Sequence, residues 1–365
     1  MSLMSGSTEK RLLLITLILL AFGLIVLSSA GIIEGGKKFG DSYYYLKKQI
    51  LYGILPGLLL FFLFSKINYG FWKKISPLVL FVSLLTMILV FVPDIGTGFK
   101  GANRWVSLWG LSFQPSEILK LSMVVYLAAW FSSRDERNKN WSYNVAPFFV
   151  VISFIGLLLA MQPDVGTLAV VVVIALGIYF AAGSSIKHLF VIVVIFTVSI
   201  AGLIFMEPYR INRIKTFLDP SVDPRGISYQ LNQSLIAIGS GGIWGKGYSD
   251  STQKKGFLPE VINDSIFAVV VEELGFAGAI VLIGLFVFLS YILVSIARNT
   301  SDKFGRLFVI GISTWIVGQA FINIAAVSGL APLTGIPLPF VSHGGTAVIA
   351  LMAGLGIVSN IAKRT

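Results

Sequence analysis

Ten apolar runs alternate with short polar breaks along the chain, at about 12–32, 49–65, 75–93, 115–132, 146–162, 166–183, 188–206, 265–296, 306–327 and 345–362. A helix needs roughly 17–25 apolar residues to cross a hydrocarbon core about 30 Å thick. The pattern predicts an all-α integral membrane protein of about ten transmembrane helices, a single polytopic domain over 1–365. The eighth run is long for one crossing and should begin above the membrane or tilt. The fifth and sixth are parted only by Gln162-Pro163-Asp164, which reads as a tight turn. The first run is too long for a signal-peptide core and ends without a small-residue cleavage site, so it is expected to remain as a span.

Ten crossings put both termini on one side. Fourteen Lys and Arg fall on the terminal side: Lys10, Arg11, Lys66, Lys73, Lys74, Arg134, Arg137, Lys139, Lys187, Arg298, Lys303, Arg306, Lys363 and Arg364. The short loops opposite hold six: Lys37, Lys38, Lys47, Lys48, Lys100 and Arg104. The long loop 207–264 carries seven more there, but long loops cross largely regardless of charge. Both termini are therefore expected in the cytoplasm, with 207–264 as the one large extracytoplasmic loop, ordered by turns and short helices.

Composition supports the membrane reading. Charged residues are 12% of the chain and mean hydropathy is +0.86, against about 25% charged in soluble domains. With no cysteine there is no disulfide framework or thiolate metal site, and two histidines leave little for a His-based centre. A net charge of +11 in such a chain fits anionic membrane lipids as partners and not nucleic acid.

The most informative stretch runs from Gly256 to Gly275, GFLPEVINDSIFAVVVEELG. Asp264 sits where loop becomes span, and Glu272 and Glu273 follow two turns deeper. A charge at membrane depth costs at least ~2.5 kcal/mol, so such residues face a cavity or a partner. Asp264 is the first candidate for chemistry. Glu260 should lie on the loop before the helix. Glu272 and Glu273 are expected to be structural, paired with Lys120 or with backbone donors.

Four further segments fall on the same predicted side. In GANRWVSLWGLSFQPSEILKL, 101–121, Pro115-Ser116-Glu117 reads as a helix start. Glu117 and Lys120 stand at i, i+3 and form either an ion pair or a substrate contact. Arg104 suits a phosphate or sugar, and Trp105 and Trp109 suit interfacial anchoring. In Gln162–Thr167 the aspartate, Asp164, either caps the next helix or opens into the same vestibule. In 207–247, Arg210, Arg213 and Lys215 form a basic cluster for a pyrophosphate or for lipid headgroups. The Gly-rich run ending in Lys246 lacks the spacing of a nucleotide-binding loop. The fourth segment, GLAPLTGIPLPFVSHGGTA, has three prolines and no charge. It should be a re-entrant stretch walling a cavity, since irregular backbone at depth is tolerated only there. Within it, Ser342 and His343 are candidate supporting residues, His343 as a proton carrier or as a hydrogen-bonded structural residue.

FQPSE, QPDVGT, TFLDPSVDPRGISYQLNQSLIAIGSGGIWGKG, FLPEVINDSIFAVVVEELG and GIPLPFVSHGGTA, in this order, resemble the successive signatures of the SEDS (shape, elongation, division and sporulation) family. The likeness covers nearly everything from residue 80 on, and QKKGFLPE and YLAAWFSSR look like the division-type, FtsW-like branch. The resemblance implies a ten-span peptidoglycan glycosyltransferase of the bacterial cytoplasmic membrane. Such enzymes polymerise lipid II onto lipid-linked nascent glycan outside the membrane, beside a class B penicillin-binding transpeptidase. It places the catalytic carboxylate, within the family's PExHTDFIFAV, at Asp264. Here the motif reads PEVINDSIFAV, so Ile262-Asn263 and Ser265 depart from it, and His343 stands where the family's PFxSYGG has Tyr.

The residues fit that chemistry. A sugar hydroxyl is a poor nucleophile, and a positioned base contributes about 10²–10⁴-fold. Asp264 is placed to be that base. Arg104, Arg210, Arg213, Lys215 and Lys246 are the cations available for a pyrophosphate leaving group. A Mg²⁺ or Mn²⁺ ion shared by the phosphates and a carboxylate is compatible with these residues, though no spacing demonstrates it. Two rivals stand beside the enzyme: a lipid II flippase using Glu272 and Glu273, and a non-catalytic scaffold for the transpeptidase. Polar motifs gathered on one side argue against a through-path, and the retained Asp264 argues against a scaffold.

Overall fold

The computed structural model describes residues 2–99, 102–108, 110–133, 141–184, 186–205 and 208–364, with side chains described throughout except at 2–7, 99, 102, 111, 141–147, 200, 203 and 208–210. Lys100, Trp109, Arg134, Arg137 and Lys139, and the side chain of Arg210, lie outside what is described.

The chain begins with α1 (Ser2–Ala30), α2 (Ile32–Phe39) and α3 (Tyr44–Gln49), passes through a π-helical turn (Ile50–Ile54), and continues as α4 (Leu55–Lys66) and α5 (Tyr69–Leu89). Three short strands follow, β1 (Gly96–Phe99), β2 (Ala102–Leu108) and β3 (Leu111–Phe113). Next come α6 (Pro115–Ser132), α7 (Trp141–Met161), α8 (Val165–Ala181), α9 (Ile186–Phe205), α10 (Pro208–Leu218) and α11 (Tyr229–Gly241). The last helices are α12 (Ile266–Asn299), α13 (Lys303–Val327) and α14 (Gly345–Lys363).

Each of the ten apolar runs falls on a helix. Six helical stretches are long and apolar enough to cross a membrane: Thr8–Ala30, Tyr44–Lys66, Tyr69–Leu89, Ile266–Asn299, Lys303–Val327 and Gly345–Lys363. Phe148–Met161, Val165–Ala181 and Ile186–Ser199 are shorter apolar helices. The chain is thus a multi-pass helical membrane protein.

Helix starts follow local chemistry. Asn68 caps α5 by accepting from Gly70 N, Asp164 caps α8 by accepting from Thr167 N, and Asp302 caps α13 by accepting from Gly305 N. Pro115 opens α6 at a position where its missing N–H costs nothing.

α14 is the axis of the bundle. Every residue from Ala350 to Ala362 is buried, as expected of a helix apolar all round. It lies along α4, where Gly57 and Gly356 let the backbones approach. α4 and α5 turn Leu59, Phe62, Leu78 and Phe81 outward, the face a lipid solvent would cover.

One element was not anticipated. Segment 96–113 forms an antiparallel sheet, β1-β2-β3, pairing Gly96 with Val106 and Val106 with Phe113. It carries Arg104 and Trp105 and leads directly into α6. In 207–264 the order comes, as expected, from short helices: α10, α11 and a 3₁₀ turn at Gln253–Lys255.

Candidate active site

Asp264 ends the loop that precedes α12 and is buried. The loop bends at Gly256 (φ 115°) and at Glu260 (φ 52°), whose carbonyl accepts from Asn263 N and Ser265 N. Left-handed backbone at a non-glycine residue is uncommon, and this one tightens the turn that delivers Asp264. Gln230 of α11 donates from Nε2 to Asp264 Oδ2 and to Ser265 Oγ, each at 3.2 Å. Among the described residues, Asp264 Oδ1 has no hydrogen-bond partner. Burial, reinforced by the Glu260 carboxylate and opposed by Gln230 and Arg213, pushes the Asp264 carboxyl up to about 6. A carboxylate with one hydrogen-bonded oxygen and one open oxygen can accept a proton near neutral pH.

The re-entrant segment lies against this loop, as irregular backbone between α13 and α14. Gly335, at φ 73°, stands beside the carboxylate: a Cβ there would be 3.9 Å from both Asp264 Oδ2 and Arg213 Nη2. Arg213 Nη1 donates to Leu333 O at 2.6 Å, so α10 is tied to the same segment. Ser342 Oγ accepts from Leu338 N at 2.8 Å and donates to Asn263 O. His343 N donates to Ile262 O at 2.8 Å, and its ring meets Tyr45 edge-on at 5.3 Å. Ser342 and His343 therefore fasten the Asp264 loop from behind. Glu260 accepts from Asn263 Nδ2 at 2.7 Å.

The turn before α8 packs into the same wall, since a Cβ on Gly166 would lie 2.6 Å from Thr334 O. Arg104 reaches it from β2. It donates to Gln162 O at 3.2 Å and to Pro163 O, and lies 3.7 Å from Asp164. The two readings of Asp164 thus coexist: it caps α8 at the edge of the site. Glu117 and Lys120 form a fully buried ion pair at 2.7 Å, and Lys120 also donates to Gln319 Oε1 at 2.8 Å.

Two expectations change. Lys246 does not join Arg213. Its ammonium pairs with Glu272 at 2.7 Å, and Lys254 pairs with Glu273 at the same distance. The cause is a break in α12. Gly275 has φ 69° and ψ −170°, and the freed backbone groups are met by the loop after α11. Phe276 N donates to Gly242 O, Ala277 N to Ile243 O, Lys246 N to Glu272 O and Gly247 N to Glu273 O. Gly241, Gly245 and Gly275 permit this close approach, since a Cβ on any of them would collide with facing backbone. Glu272 further accepts from Ser251 Oγ, Thr252 N and Gln253 N, and Glu273 from Ser29 Oγ. Lys120 serves neither acid. The basic cluster on α10 also divides: Lys215 lies about 200° round the helix from Arg213 and is exposed.

Sequence reasoning missed Gln230, Asn323 and Gln319. Asn323 Nδ2 donates to Asp264 O at 2.8 Å and to Ile336 O at 2.7 Å, and Gln319 Nε2 donates to Pro337 O at 2.9 Å. Polar side chains at i, i+4 within the apolar α13 were the signal available.

Fold and site together define a polytopic helical membrane protein with a buried, half-partnered carboxylate at the mouth of its bundle. Residues 10–365 match the FtsW/RodA/SpoVE family, described as cell cycle protein, and the chain belongs to that family. It is 35% identical to a probable peptidoglycan glycosyltransferase FtsW of Geobacter sp. (strain M18), over 98% of this chain and 97% of the relative. Identity and coverage are the same for stage V sporulation protein E of Bacillus subtilis (strain 168). Among solved structures, a chain of a peptidoglycan synthase complex aligns with TM-score 0.79 at 27% identity, covering 97% of both chains. The rod shape determining protein RodA of Thermus thermophilus aligns with TM-score 0.70 at 27% identity, covering 97% of this chain and 96% of RodA.

Proposed function

We propose that this protein is a peptidoglycan glycosyltransferase that polymerises lipid II at the outer face of the bacterial cytoplasmic membrane, with Asp264 as its general base. The 4-hydroxyl of a GlcNAc on one lipid-linked substrate attacks the anomeric carbon of MurNAc on another. The new glycosidic C–O bond forms as the bond to pyrophosphate breaks, and the lipid pyrophosphate leaves with the electron pair. Asp264 takes the hydroxyl proton on Oδ1. The observation that carries this reading is that oxygen: buried, without a hydrogen-bond partner among the described residues, on a carboxyl raised to about 6.

Arg213, whose charge acts on the Asp264 carboxyl, offers that charge to the leaving pyrophosphate. Arg210, one turn before it, is the next candidate. Arg104 contributes by holding the turn before α8, which sets the opposite rim. Among the described residues no three Asp, Glu or His side chains converge as a metal site. A Mg²⁺ or Mn²⁺ ion carried by the substrate phosphates would neutralise charge on the leaving group and leave Asp264 free as the base.

In this reading both termini are cytoplasmic, and loop 207–264 carries the approach to the site outside. The likeness to a chain of a peptidoglycan synthase complex supports a class B penicillin-binding transpeptidase as partner, and QKKGFLPE supports a division role. The test is direct: purified protein, with and without such a transpeptidase, is given lipid II and scored for glycan polymer. Polymer that appears with the wild type and vanishes with Asp264→Asn is expected. Equal polymer from both overturns the assignment.

A further inference from the structure

α13 carries Trp315, Gln319 and Asn323 at i, i+4 and i+8, one above another on a single face, each rising about 6 Å over the last. All three are buried. At the lower end, Trp315 Nε1 donates to Gln319 Oε1 at 2.9 Å, and Lys120 donates to the same oxygen while its ammonium lies 5.0 Å over the Trp315 ring. Lys120 is in turn held by Glu117. Higher up, the two amides catch consecutive carbonyls of the re-entrant segment, Gln319 that of Pro337 and Asn323 that of Ile336. The second proton on Asn323 Nδ2 goes to the main-chain carbonyl of Asp264 itself.

This ladder could do no more than satisfy carbonyls that irregular backbone leaves open at depth. The placement goes further. One amide nitrogen bridges the residue that carries the open carboxylate oxygen and the segment whose Gly335 stands beside that carboxylate. Arg213 also ties its helix to this segment, but at Leu333 O and from the carboxylate side. We propose that Asn323 is a positioning residue for Asp264, fixing the depth and burial of its carboxyl against the re-entrant segment, and that Gln319 steadies Asn323's anchor from the buried Glu117–Lys120 pair. This rests on Asp264 being the general base.

Among the described residues, the charged groups facing Asp264 are Glu260 on its own loop and Arg213 on α10; Gln230 on α11, Asn323 on α13 and the re-entrant segment add none. If Asn323 holds the carboxyl in its dry setting, losing that hold admits water and lets the Asp264 titration fall toward the ordinary carboxylate range.

The experiment measures initial rates of lipid II polymerisation against pH and substrate for wild type, Asn323→Ala, Asn323→Gln, Gln319→Ala and Asp264→Asn, with thermal melting alongside. For Asn323→Ala we expect kcat to fall at least tenfold with KM within about twofold. The acid limb of the pH profile should move down by half a pH unit or more. Asn323→Gln, which keeps both donors on a longer arm, should recover part of the rate and part of the shift. Gln319→Ala should move the limb the same way by less.

An unmoved limb in Asn323→Ala, with activity lost only in proportion to folded protein, overturns the proposal. If Asn323→Ala does not fold, Asn323→Gln decides: lowered kcat with a shifted limb supports it, wild-type values overturn it. An active Asp264→Asn removes the base, and this inference falls with it. An inactive Asp264→Asn beside an unaffected Asn323→Ala leaves the base standing and removes only the positioning role.

Discussion

Asp264 and the pair Glu272–Glu273 lie eight residues apart on the same loop-to-helix passage, yet their surroundings are opposite. Glu272 has a lysine, a serine hydroxyl and two backbone N–H groups on its carboxylate, and Glu273 has a lysine and a serine. Asp264 has one glutamine amide on one oxygen and, among the described residues, no partner on the other. Removing a charge from water costs several kcal/mol, and the two glutamates recover it through partners. Asp264 does not, and its carboxyl titrates near about 6 as a result. On the proposed reading, full pairing belongs to architecture and a shortage of partners to chemistry.

The sharpest way to break that contrast is Asp264→Asn. Polymerisation should fall by about 10²–10⁴-fold or more, the range of a lost general base. Stability should hold or rise. A carboxyl raised from 3.8 to about 6 binds its proton more tightly in the folded state, so its ionisation costs stability as pH climbs through that window. The neutral amide avoids a penalty of about 3 kcal/mol at neutral pH. A melting temperature several degrees below wild type would count against this account.

Glu273→Gln should do the reverse. It leaves Lys254 buried beside a neutral group, with an expected loss of about 3–5 kcal/mol of stability. Whatever protein remains folded should polymerise at near the wild-type rate per molecule. Full loss of activity in well-folded Glu273→Gln would erase the distinction drawn here.

The pH dependence sharpens it further. Because the ionised carboxylate is the working form, activity should be present above about 6 and drop roughly tenfold per unit below it. An acid limb near 4 would place Asp264 in an ordinary, wet setting.

Arg213→Ala should raise the KM for lipid II about tenfold, and added salt should reproduce only part of that loss, since the site is partly dry. Unchanged affinity in both Arg213→Ala and Arg210→Ala would move the phosphate site elsewhere. The smallest effect is expected from Lys246→Ala: about 1 kcal/mol of stability, with lipid II affinity unchanged. Glu272 keeps its other donors, and the lysine is partly exposed. Weakened lipid binding there would return Lys246 to the substrate site.

Much of this was legible in the residues. The ten apolar runs announce the helices because span length leaves little freedom. Asp164 announces its cap, since Asp before an apolar run satisfies an open helix end. Asp264 stands out in the residues because it lies where loop meets span, with the family likeness behind it. The sheet at 96–113 was not, because its strands are short and mix glycine, asparagine and tryptophan without a clear alternation. Lys246 was misplaced because charge alone does not name a partner. Its partner was fixed by Gly241, Gly245 and Gly275, whose joint meaning appears only when two backbones touch. Asn323 and Gln319 sit in a run too apolar to suggest that their targets are carbonyls of a segment further along the chain.

The break at Gly275 also bears on how the protein is made. Ribosomes deliver Lys246 and Lys254 before Glu272 and Glu273, 26 and 19 residues ahead of them. An acid entering a bilayer alone costs about 2.5–3.5 kcal/mol at mid-depth. Here each acid emerges after the lysine that neutralises it in the folded protein. The loop that plugs the broken helix is thus also an escort for its charges, and the order of residues makes α12 an easier passenger than its two glutamates would be by themselves.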